Sequence, residues 1–456
     1  MKSIRDMTKT SSPLELGTLP VGRLLRQYAF PAIIAMTASS LYHIVDSIFI
    51  GQGVGALAIS GLAITFPFMN LSAAVGAMVG VGAATLISMR LGQKDYDAAL
   101  QIFGNAVTLT LLLCLVFSLI ALTFLNPILR IFGASDATLP YARAYMLIIL
   151  LGNVFSHSFL TFNGILRSAG HPRAAMNATI MAVVINAILD PIFIYSLHMG
   201  IQGAAFATIL AQLATLVWQI TIFRNPKEVI HFKRGTYGLK AQVARETLGI
   251  GLAPFLLNSC GCLVVILINR ALYEHGGDLA IGAFGIINRL TFLFFMVVIG
   301  LNQGMQPIAG YNYGARDYGR VLEVLRLTLL WATVIMTAGF LVGELIPRLC
   351  CRAFTPDGEL IRLAVRGLRL NVIFFPVIGI QMVATSFFQS IGQAHKSIFH
   401  SLTRQLLFLL PCILIFPRHW GLDGVWLSMP MSDALASIVA GVMLWYEYRK
   451  MSKLCI

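Results

Sequence analysis

The chain contains an internal repeat, in which the second half matches the first at an offset of about 222 residues. The four matching pairs are residues 57–59 and 279–281 (Leu-Ala-Ile), 92–96 and 314–318 (Gly-x-x-Asp-Tyr), 168–170 and 390–392 (Ser-x-Gly), and 200–203 and 421–424 (Gly-x-x-Gly). A duplication on this scale restricts the chain to two halves of similar architecture. The two Gly-x-x-Asp-Tyr segments read as a turn followed by a helix N-cap, because Gly suits the turn and Asp suits the cap.

The composition places both halves in a membrane. Hydrophobic residues make up 57% of the chain, charged residues only 11%, and the mean hydropathy is +0.80, whereas a soluble domain carries about 25% charged residues. Twelve apolar segments are each near or above the ~20 residues that span a bilayer as a helix. They cover roughly 27–50, 58–84, 100–124, 141–164, 174–197, 202–223, 247–272, 279–305, 324–347, 364–390, 397–417 and 422–446. We therefore predict an all-α integral membrane protein of twelve transmembrane helices.

The basic residues predict its orientation and its division. The net charge is +14, and about two thirds of the 33 Lys and Arg fall on one side of the predicted helices, which by the positive-inside rule makes both termini cytoplasmic. The charge is thus a topology signal and does not favour nucleic-acid binding. The longest polar stretch predicts an N-lobe at 1–226, a cytoplasmic linker at 227–246 and a C-lobe at 247–456. Because six helices return the chain to the same face, the lobes should be parallel repeats related by a pseudo-twofold axis along the membrane normal.

Only the first copy carries acids deep in these segments, at Asp46 and Asp190. A charge at the bilayer centre costs at least ~2.5–3.5 kcal/mol, so such an acid must be protonated, paired or facing water. Asn186 lies one turn before Asp190 on the same helix face, Pro191 removes a backbone donor, and Thr208 adds a hydroxyl. This set is suited to exchanging a proton or holding a monovalent cation, and we expect an ion-coupling site. The repeat-related positions are occupied by Ile268 and Asn269, and by Pro411 and Cys412.

A simpler interpretation is that these groups sit at a water interface or terminate a helix. A structural cap should have been duplicated with the rest of the repeat, so its absence from the second half favours the functional interpretation. Pro31, four turns before Asp46, is expected to let the first helix bend. Arg289 is expected to be structural, either paired with an acid or extended to an interface. Glu344 and Asp433 are expected to lie near helix ends.

Several apolar and polar side chains are candidates for lining a substrate cavity, because flexible Met and aromatic surfaces accept varied ligands. They are also the residues that face lipid, and that alternative stays open. The candidates are Phe66, Met69, Phe155, Phe159, Phe162, Asn288, Phe292 and Met296. No Walker A loop, HExxH zinc motif, CxxC pair or nucleophile elbow is present, so the chain is not expected to be an enzyme or to use ATP.

Four segments together resemble the multidrug and toxic compound extrusion (MATE) family, over about residues 19–445. The resemblance implies twelve helices in two lobes, alternating access, and export of cationic, amphipathic drugs against entering H+ or Na+. It implies that Asp46, Asn186, Asp190 and Thr208 form an ion site in the N-lobe, with no cofactor beyond that ion. It further implies a monomer in the bacterial cytoplasmic (inner) membrane. The segments are Pro31 with residues 46–51 (Asp-Ser-Ile-Phe-Ile-Gly), 57–61 (Leu-Ala-Ile-Ser-Gly), 186–194 (Asn-x-x-x-Asp-Pro-Ile-Phe-Ile) and 304–314 (Gly-Met-Gln-Pro-x-x-Gly-Tyr-Asn-Tyr-Gly).

Two other functions remain to be compared. A flippase for lipid-linked saccharides is the second candidate, but it predicts a cation-rich cavity, for which only Arg289 is an obvious residue. A membrane-embedded enzyme would need a constellation around His43 or His157, and neither has a motif beside it. In one branch of the MATE family, acids in the C-lobe also couple. Here Asn258 and Ser259 stand in the corresponding helix, which favours coupling through the N-lobe alone.

Overall fold

The computed structural model describes residues 15–54, 56–354 and 356–455, and all the regular elements within them are helices. The prediction of an all-helical chain is therefore confirmed for this part. In chain order the α-helices are α1 (Glu15–Thr18), α2 (Val21–Gly53), α3 (Ala56–Gly92), α4 (Tyr96–Thr123), α5 (Leu125–Ile131), α6 (Leu139–Ser168), α7 (Pro172–Pro191), α8 (Ile201–Phe223), α9 (Ala241–Gly314), α10 (Tyr318–Leu345), α11 (Pro347–Arg352), α12 (Gly358–Val372), α13 (Phe375–Ser390), α14 (Ala394–Leu402) and α15 (Leu410–Lys453). Two π-helical segments follow α7 and α14, at Ile192–Ser196 and Thr403–Leu409.

Nine helical stretches in the described residues are long and apolar enough to cross a membrane. A tenth forms if α12 and α13, which meet at a bend of 56°, are counted as one span. The chain is thus a multi-span membrane protein. Two glycines with positive φ break long helices: Gly277 (φ 63°) lies within α9 and Gly421 (φ 54°) within α15.

The internal repeat is visible in the backbone. Gly200 has φ 58° and ψ −139°, and its repeat mate Gly421 has φ 54° and ψ −132°. Asp95 caps α4 by accepting a hydrogen bond from the backbone N–H of Ala98 at 3.1 Å. Asp317 caps α10 by accepting one from the N–H of Arg320 at 3.2 Å. The Gly-x-x-Asp-Tyr segments are therefore a turn and an N-cap, as predicted.

The described residues form two compact units, and three of the boundaries between them lie inside helices. The first unit contains Ile34–Phe255 and Gly310–Ala315 together with the N-terminal residues up to Pro20. The second contains Val21–Ile33, Leu256–Ala309 and Arg316–Ile456. The units thus divide within α2 and α9, whereas the predicted lobes divide at residues 227–246.

Glycines explain why the start of α9 belongs to the first unit. A Cβ on Gly251 would stand 1.8 Å from the carbonyl oxygen of Met78 in α3, so only glycine lets these backbones approach so closely. In the second unit, a Cβ on Gly304 of α9 would stand 2.5 Å from the backbone of Ala29 in α2.

The predicted linker is held against α4 within the first unit. Asn105 donates its side-chain amide to the carbonyl oxygens of Thr236 (3.2 Å) and Gly238 (3.1 Å). Its own carbonyl oxygen accepts from the backbone N–H of Lys240 at 2.7 Å. One buried amide therefore satisfies three backbone groups of the linker.

Candidate functional site

Two acids lie buried in the first unit. Asp46 in α2 is 4% exposed and Asp190 in α7 is 0% exposed. Their carboxyl groups lie within hydrogen-bonding reach of each other. An ionised carboxylate only accepts hydrogen bonds, so two carboxyl groups bond to each other only when one carries a proton. When both are ionised, the pair needs a cation between its oxygen atoms.

An amide and a hydroxyl complete the set that the sequence predicted. Asn186 donates its side-chain amide to Oδ1 of Asp190 and to Oγ1 of Thr208, at 3.3 Å in each case. The Thr208 hydroxyl donates to the carbonyl oxygen of Ala204, one turn back in α8, at 3.0 Å. Asn186 and Thr208 are buried like the two acids. The structure therefore brings together residues from α2, α7 and α8 that lie up to 162 positions apart in the sequence.

The set is rich in oxygen atoms and poor in donors. Oδ1 of Asp46, Oδ1 of Asn186 and Oδ2 of Asp190 are buried and accept no hydrogen bond from the residues that the structure describes. A buried polar atom without a partner is costly, and such atoms are rare in folded proteins. Three of them within one cluster form a site whose oxygen atoms a proton or a monovalent cation would satisfy.

Tyr145 in α6 is a further residue at this site, and the sequence analysis did not identify it. Its side chain is 1% exposed, and its hydroxyl lies within hydrogen-bonding reach of Thr208. It is also close enough to Asp46 and Asp190 to be influenced by their charges. A tyrosine hydroxyl within a predicted membrane helix was the available signal, but the sequence does not show which way it points.

The end of α7 is shaped by Pro191 and Gly203. Pro191 has no N–H to donate to the preceding turn, and the helix continues as the π-helical segment Ile192–Ser196. π-Helical turns are rare and are frequent at functional sites. A Cβ on Gly203 would stand 2.9 Å from the backbone of Phe193, so glycine lets α8 pack against this segment. These two features shape the end of α7, where Asp190 lies, and its packing against α8.

Pro31 is buried in the first third of α2. It lies in the second compact unit, whereas Asp46 on the same helix lies in the first. The boundary between the units therefore falls shortly after the proline. The bending of α2 at Pro31 stays a prediction.

The eight candidate cavity residues lie in different environments. Phe159 and Phe162 are buried, and Phe162 packs against Phe103 and Phe223 with ring centroids 5.9 and 5.3 Å apart. This aromatic packing favours a core role for Phe162. Phe66, Asn288 and Phe292 are exposed, and Met69, Phe155 and Met296 are half-buried. Their contact with substrate stays a prediction.

One expectation about the second half is wrong. Asp433 lies well inside α15, is 5% exposed, and accepts a hydrogen bond from the guanidinium of Arg404, with which it forms an ion pair. Arg404 belongs to the π-helical segment Thr403–Leu409. The partner comes from a different helix, and sequence spacing does not reveal such a pair. Close by, both ring nitrogens of the buried His400 make no hydrogen bond to any described residue.

Glu344 lies where the sequence predicted, whereas the role of Arg289 stays a prediction. Arg289 is exposed and forms no ion pair among the described residues, and its extension to an interface stays a prediction. Glu344 is next to the last residue of α10, as expected, and lies 3.7 Å from Arg369.

The histidine considered for an enzyme is part of the core. Nε2 of His157 lies 3.2 Å from the hydroxyl oxygen of Ser72, and this hydroxyl donates its hydrogen to the side-chain carbonyl oxygen of Asn153 at 3.2 Å. The ring of Phe117 is 6.3 Å away. These contacts are those of a packed histidine with a hydroxyl partner. His43 has no described side chain, so that hypothesis lies outside the described residues.

These features define a polytopic helical membrane protein with an ionisable site inside its apolar core. The MatE family model matches residues 31–192 and again residues 250–414, and the chain belongs to this family. The two matches correspond to the two copies of the repeat. Members of the family are transporters and not enzymes.

Relatives and solved structures cover nearly the whole chain. The multidrug export protein MepA of Staphylococcus aureus (strain MSSA476) is 26% identical over 430 residues, which are 93% of this chain and 94% of that protein. MepA of Staphylococcus haemolyticus (strain JCSC1435) is 26% identical over 92% of each chain. A ligand-bound structure of the MATE multidrug transporter DinF-BH is 36% identical, with a TM-score of 0.88, and covers 96% of this chain and 98% of that chain. A crystal structure of MATE in the bent conformation, 24% identical with a TM-score of 0.91, covers 98% of this chain and 100% of that chain and shows the shared fold.

Proposed function

We propose that this protein is a secondary active multidrug exporter that moves cationic, amphipathic compounds out of the cell against entering H+ or Na+ by alternating access. The multidrug export proteins among its relatives support the substrate class. The observation that carries the coupling mechanism is the buried pair of Asp46 and Asp190, with the three unpartnered oxygen atoms of their cluster. Entry of a proton or Na+ reduces the negative charge of the pair by one, and release of that ion towards the cytoplasm restores the charge.

The chemistry of the donor set fits either ion. Asp46, Asn186, Asp190 and Thr208 supply two carboxyl groups, one amide oxygen and one hydroxyl, which are hard oxygen ligands of the kind that Na+ accepts. The same carboxyl pair holds a proton without the other two groups.

The buried acids of the described second half are already neutralised. Asp433 is ion-paired with Arg404, and Glu447 is ion-paired with Lys396. An acid that is paired with a positively charged side chain does not require a transported ion to balance its charge. Coupling therefore belongs to the first half.

We further infer twelve spans in two six-helix lobes. The nine candidate spans become ten with the bent pair of α12 and α13, and eleven if the 60-residue stretch Ala394–Lys453 is divided at Gly421. Helix α2, with 33 residues, supplies the twelfth. The excess of Lys and Arg on one side supports cytoplasmic termini, and the bacterial relatives support a location in the inner membrane. We expect the transporter to act as a monomer.

Uptake of ethidium by inverted membrane vesicles, in which export is directed into the lumen, tests this proposal. A pH gradient and a Na+ gradient are imposed separately. We expect one gradient to drive transport in the wild type. Asp46→Asn and Asp190→Asn should each abolish it, because an amide in place of either carboxyl cannot bind and release a proton and removes the charge that holds a cation. Vesicles must contain equal amounts of each variant.

Asp136→Asn is the matched control, because it makes the same change at an exposed acid in the same half. Full transport by Asp46→Asn and Asp190→Asn would overturn coupling through the carboxyl pair. Absence of wild-type transport under both gradients would overturn the substrate class and redirect attention to lipid-linked saccharides.

A further inference from the structure

A cavity in the second unit lies apart from the carboxyl pair. It has a volume of about 520 Å³ and opens between α12 and the middle of α15. Its walls combine arginines with apolar side chains. The residues that define it are Arg362, Arg366, Arg369, Trp420, Asp423 and Leu427.

Helix α12 presents its arginines on one face. Arg362, Arg366 and Arg369 follow each other at intervals of four and three residues, which places them on one side of a helix. Their side chains are exposed, whereas the opposite face, including Ala364 and Leu368, is buried. A buried apolar face therefore holds the helix in place while the arginines point into the cavity.

Two of the three arginines have guanidinium N–H groups that donate no hydrogen bond to a described residue. Arg366 is ion-paired with Asp423 across the cavity wall. Arg362 lies 3.9 Å from Glu359 and Arg369 lies 3.7 Å from Glu344, and neither donates a hydrogen bond to any described residue. A guanidinium has five N–H donors in a planar fork that matches the oxygen atoms of a phosphate.

The position of these arginines is unexpected for a membrane protein. In the proposed orientation, α12 begins on the outer side, where the positive-inside rule predicts few cations. Most of the arginines on that side nevertheless lie in or near this region, at positions 348, 352, 362, 366, 369 and 418.

The rim of the cavity has the character of a membrane interface. Trp420 is 57% exposed and packs edge-on against Phe416, with ring centroids 5.1 Å apart. Tryptophan concentrates at the level of lipid headgroups, where its ring is partly apolar and its N–H is partly hydrated. Leu427 continues the apolar wall from Trp420 along α15.

We propose that this cavity binds the headgroup of an anionic phospholipid of the outer leaflet. The guanidinium groups of Arg362 and Arg369 donate to the phosphate oxygens, and Arg366 is held by Asp423 beside them. Trp420 and Leu427 contact the start of an acyl chain. This site uses none of the residues assigned to ion coupling.

Native mass spectrometry of the purified, delipidated full chain tests this assignment, with phosphatidylglycerol, phosphatidylcholine and inorganic phosphate as three separate probes. We expect phosphatidylglycerol to bind in preference to phosphatidylcholine, and the Arg362→Gln/Arg369→Gln variant to bind it about tenfold more weakly. Arg130→Gln/Arg270→Gln is the matched control, since it removes two exposed arginines that are also paired with acids elsewhere on the chain. The control should retain wild-type binding.

Equal loss of lipid in both double variants, or no loss in either, would overturn the proposal. Binding of inorganic phosphate without any preference for phosphatidylglycerol would assign the cavity to a free anion and overturn the lipid assignment. Arg362→Lys/Arg369→Lys guards against misfolding: it should retain more lipid than the Gln pair. If it binds as little while both variants stay monodisperse, positive charge alone does not hold the lipid, and the planar guanidinium groups are required as proposed. Because the readout is bound lipid, its failure leaves the transport proposal standing.

Discussion

Asn186 donates its side-chain amide to the carboxylate of Asp190, one helical turn further along α7, at 3.3 Å. The same amide donates to Thr208, so one side chain links α7 to α8. Its carbonyl oxygen is left without a partner among the described residues. Asn186 therefore orients the acid with its nitrogen and is free to contact an ion with its oxygen.

Asn186→Ala should change the affinity of the site for the coupling ion without destroying transport. It removes one charge-assisted hydrogen bond and one potential ligand, and such a bond contributes about 1.5–3 kcal/mol. If Na+ is the driving ion, we expect its half-saturating concentration to rise about tenfold, because the site loses a ligand. If the proton is the driving ion, we expect the half-saturating proton concentration to fall, because the amide favours the ionised form of Asp190 and its removal lets the proton bind more tightly. The measurement is the transport rate as a function of Na+ or proton concentration. Asn177→Ala, at an exposed position of the same helix, should leave that concentration unchanged, and an equal shift in both variants would argue against a specific role.

Tyr145→Phe should have a smaller effect on the half-saturating concentration of the driving ion. It keeps the buried ring and removes only the hydroxyl near Thr208. A single neutral hydrogen bond contributes about 1 kcal/mol, so we expect a change of about fivefold in half-saturation and little change in thermal stability. Tyr141→Phe, four residues earlier in α6, is the control. If Tyr145→Phe shows the ion dependence of the wild type, the hydroxyl of this tyrosine has no role in ion binding.

Gly251→Ala should destabilise the protein, whereas Gly249→Ala should not. The new Cβ at position 251 would stand 1.8 Å from the carbonyl oxygen of Met78, so α3 and α9 must move apart. Overpacking of this kind costs about 1–3 kcal/mol. Nothing lies within 4 Å of a Cβ at position 249, where alanine also favours the helix. Thermal unfolding in detergent should therefore give a lower melting temperature for Gly251→Ala than for Gly249→Ala, although the two positions are only half a helical turn apart. Equal melting temperatures would contradict the close approach of α9 to α3 at Gly251.

Arg404→Ala should destabilise the second unit more than replacement of the whole ion pair. Removing the guanidinium leaves Asp433 buried without its partner, which costs about 3 kcal/mol, whereas a well-packed apolar pair is often neutral. We expect Arg404→Met/Asp433→Leu to regain most of the melting temperature lost in Arg404→Ala. A double variant that is less stable than the single variant would show that Asp433 is satisfied by other groups.

The helices and half of the ion site follow from local patterns. Most of the predicted apolar segments lie within observed helices, because about twenty apolar residues in a bilayer have few other ways to satisfy their backbone. The segment 364–390 is divided by the 56° bend between α12 and α13. Asp95 and Asp317 are N-caps because a carboxylate at that position reaches the next turn of its own helix. Asn186 and Asp190 face the same way because they are four residues apart.

Relationships between distant segments were decided by tertiary packing alone. The sequence predicted that Asp46 and Asp190 matter, because only one copy of the repeat carries them, but not that Tyr145 joins them or that Arg404 pairs with Asp433. The division into lobes at residues 227–246 stays a prediction, and the compact units divide within α2 and α9. Helical period and composition act within one segment, so they determine which residues are helical and which face they share. Which faces meet depends on how closely two backbones approach, and in this protein single glycines such as Gly203 and Gly251 set that distance.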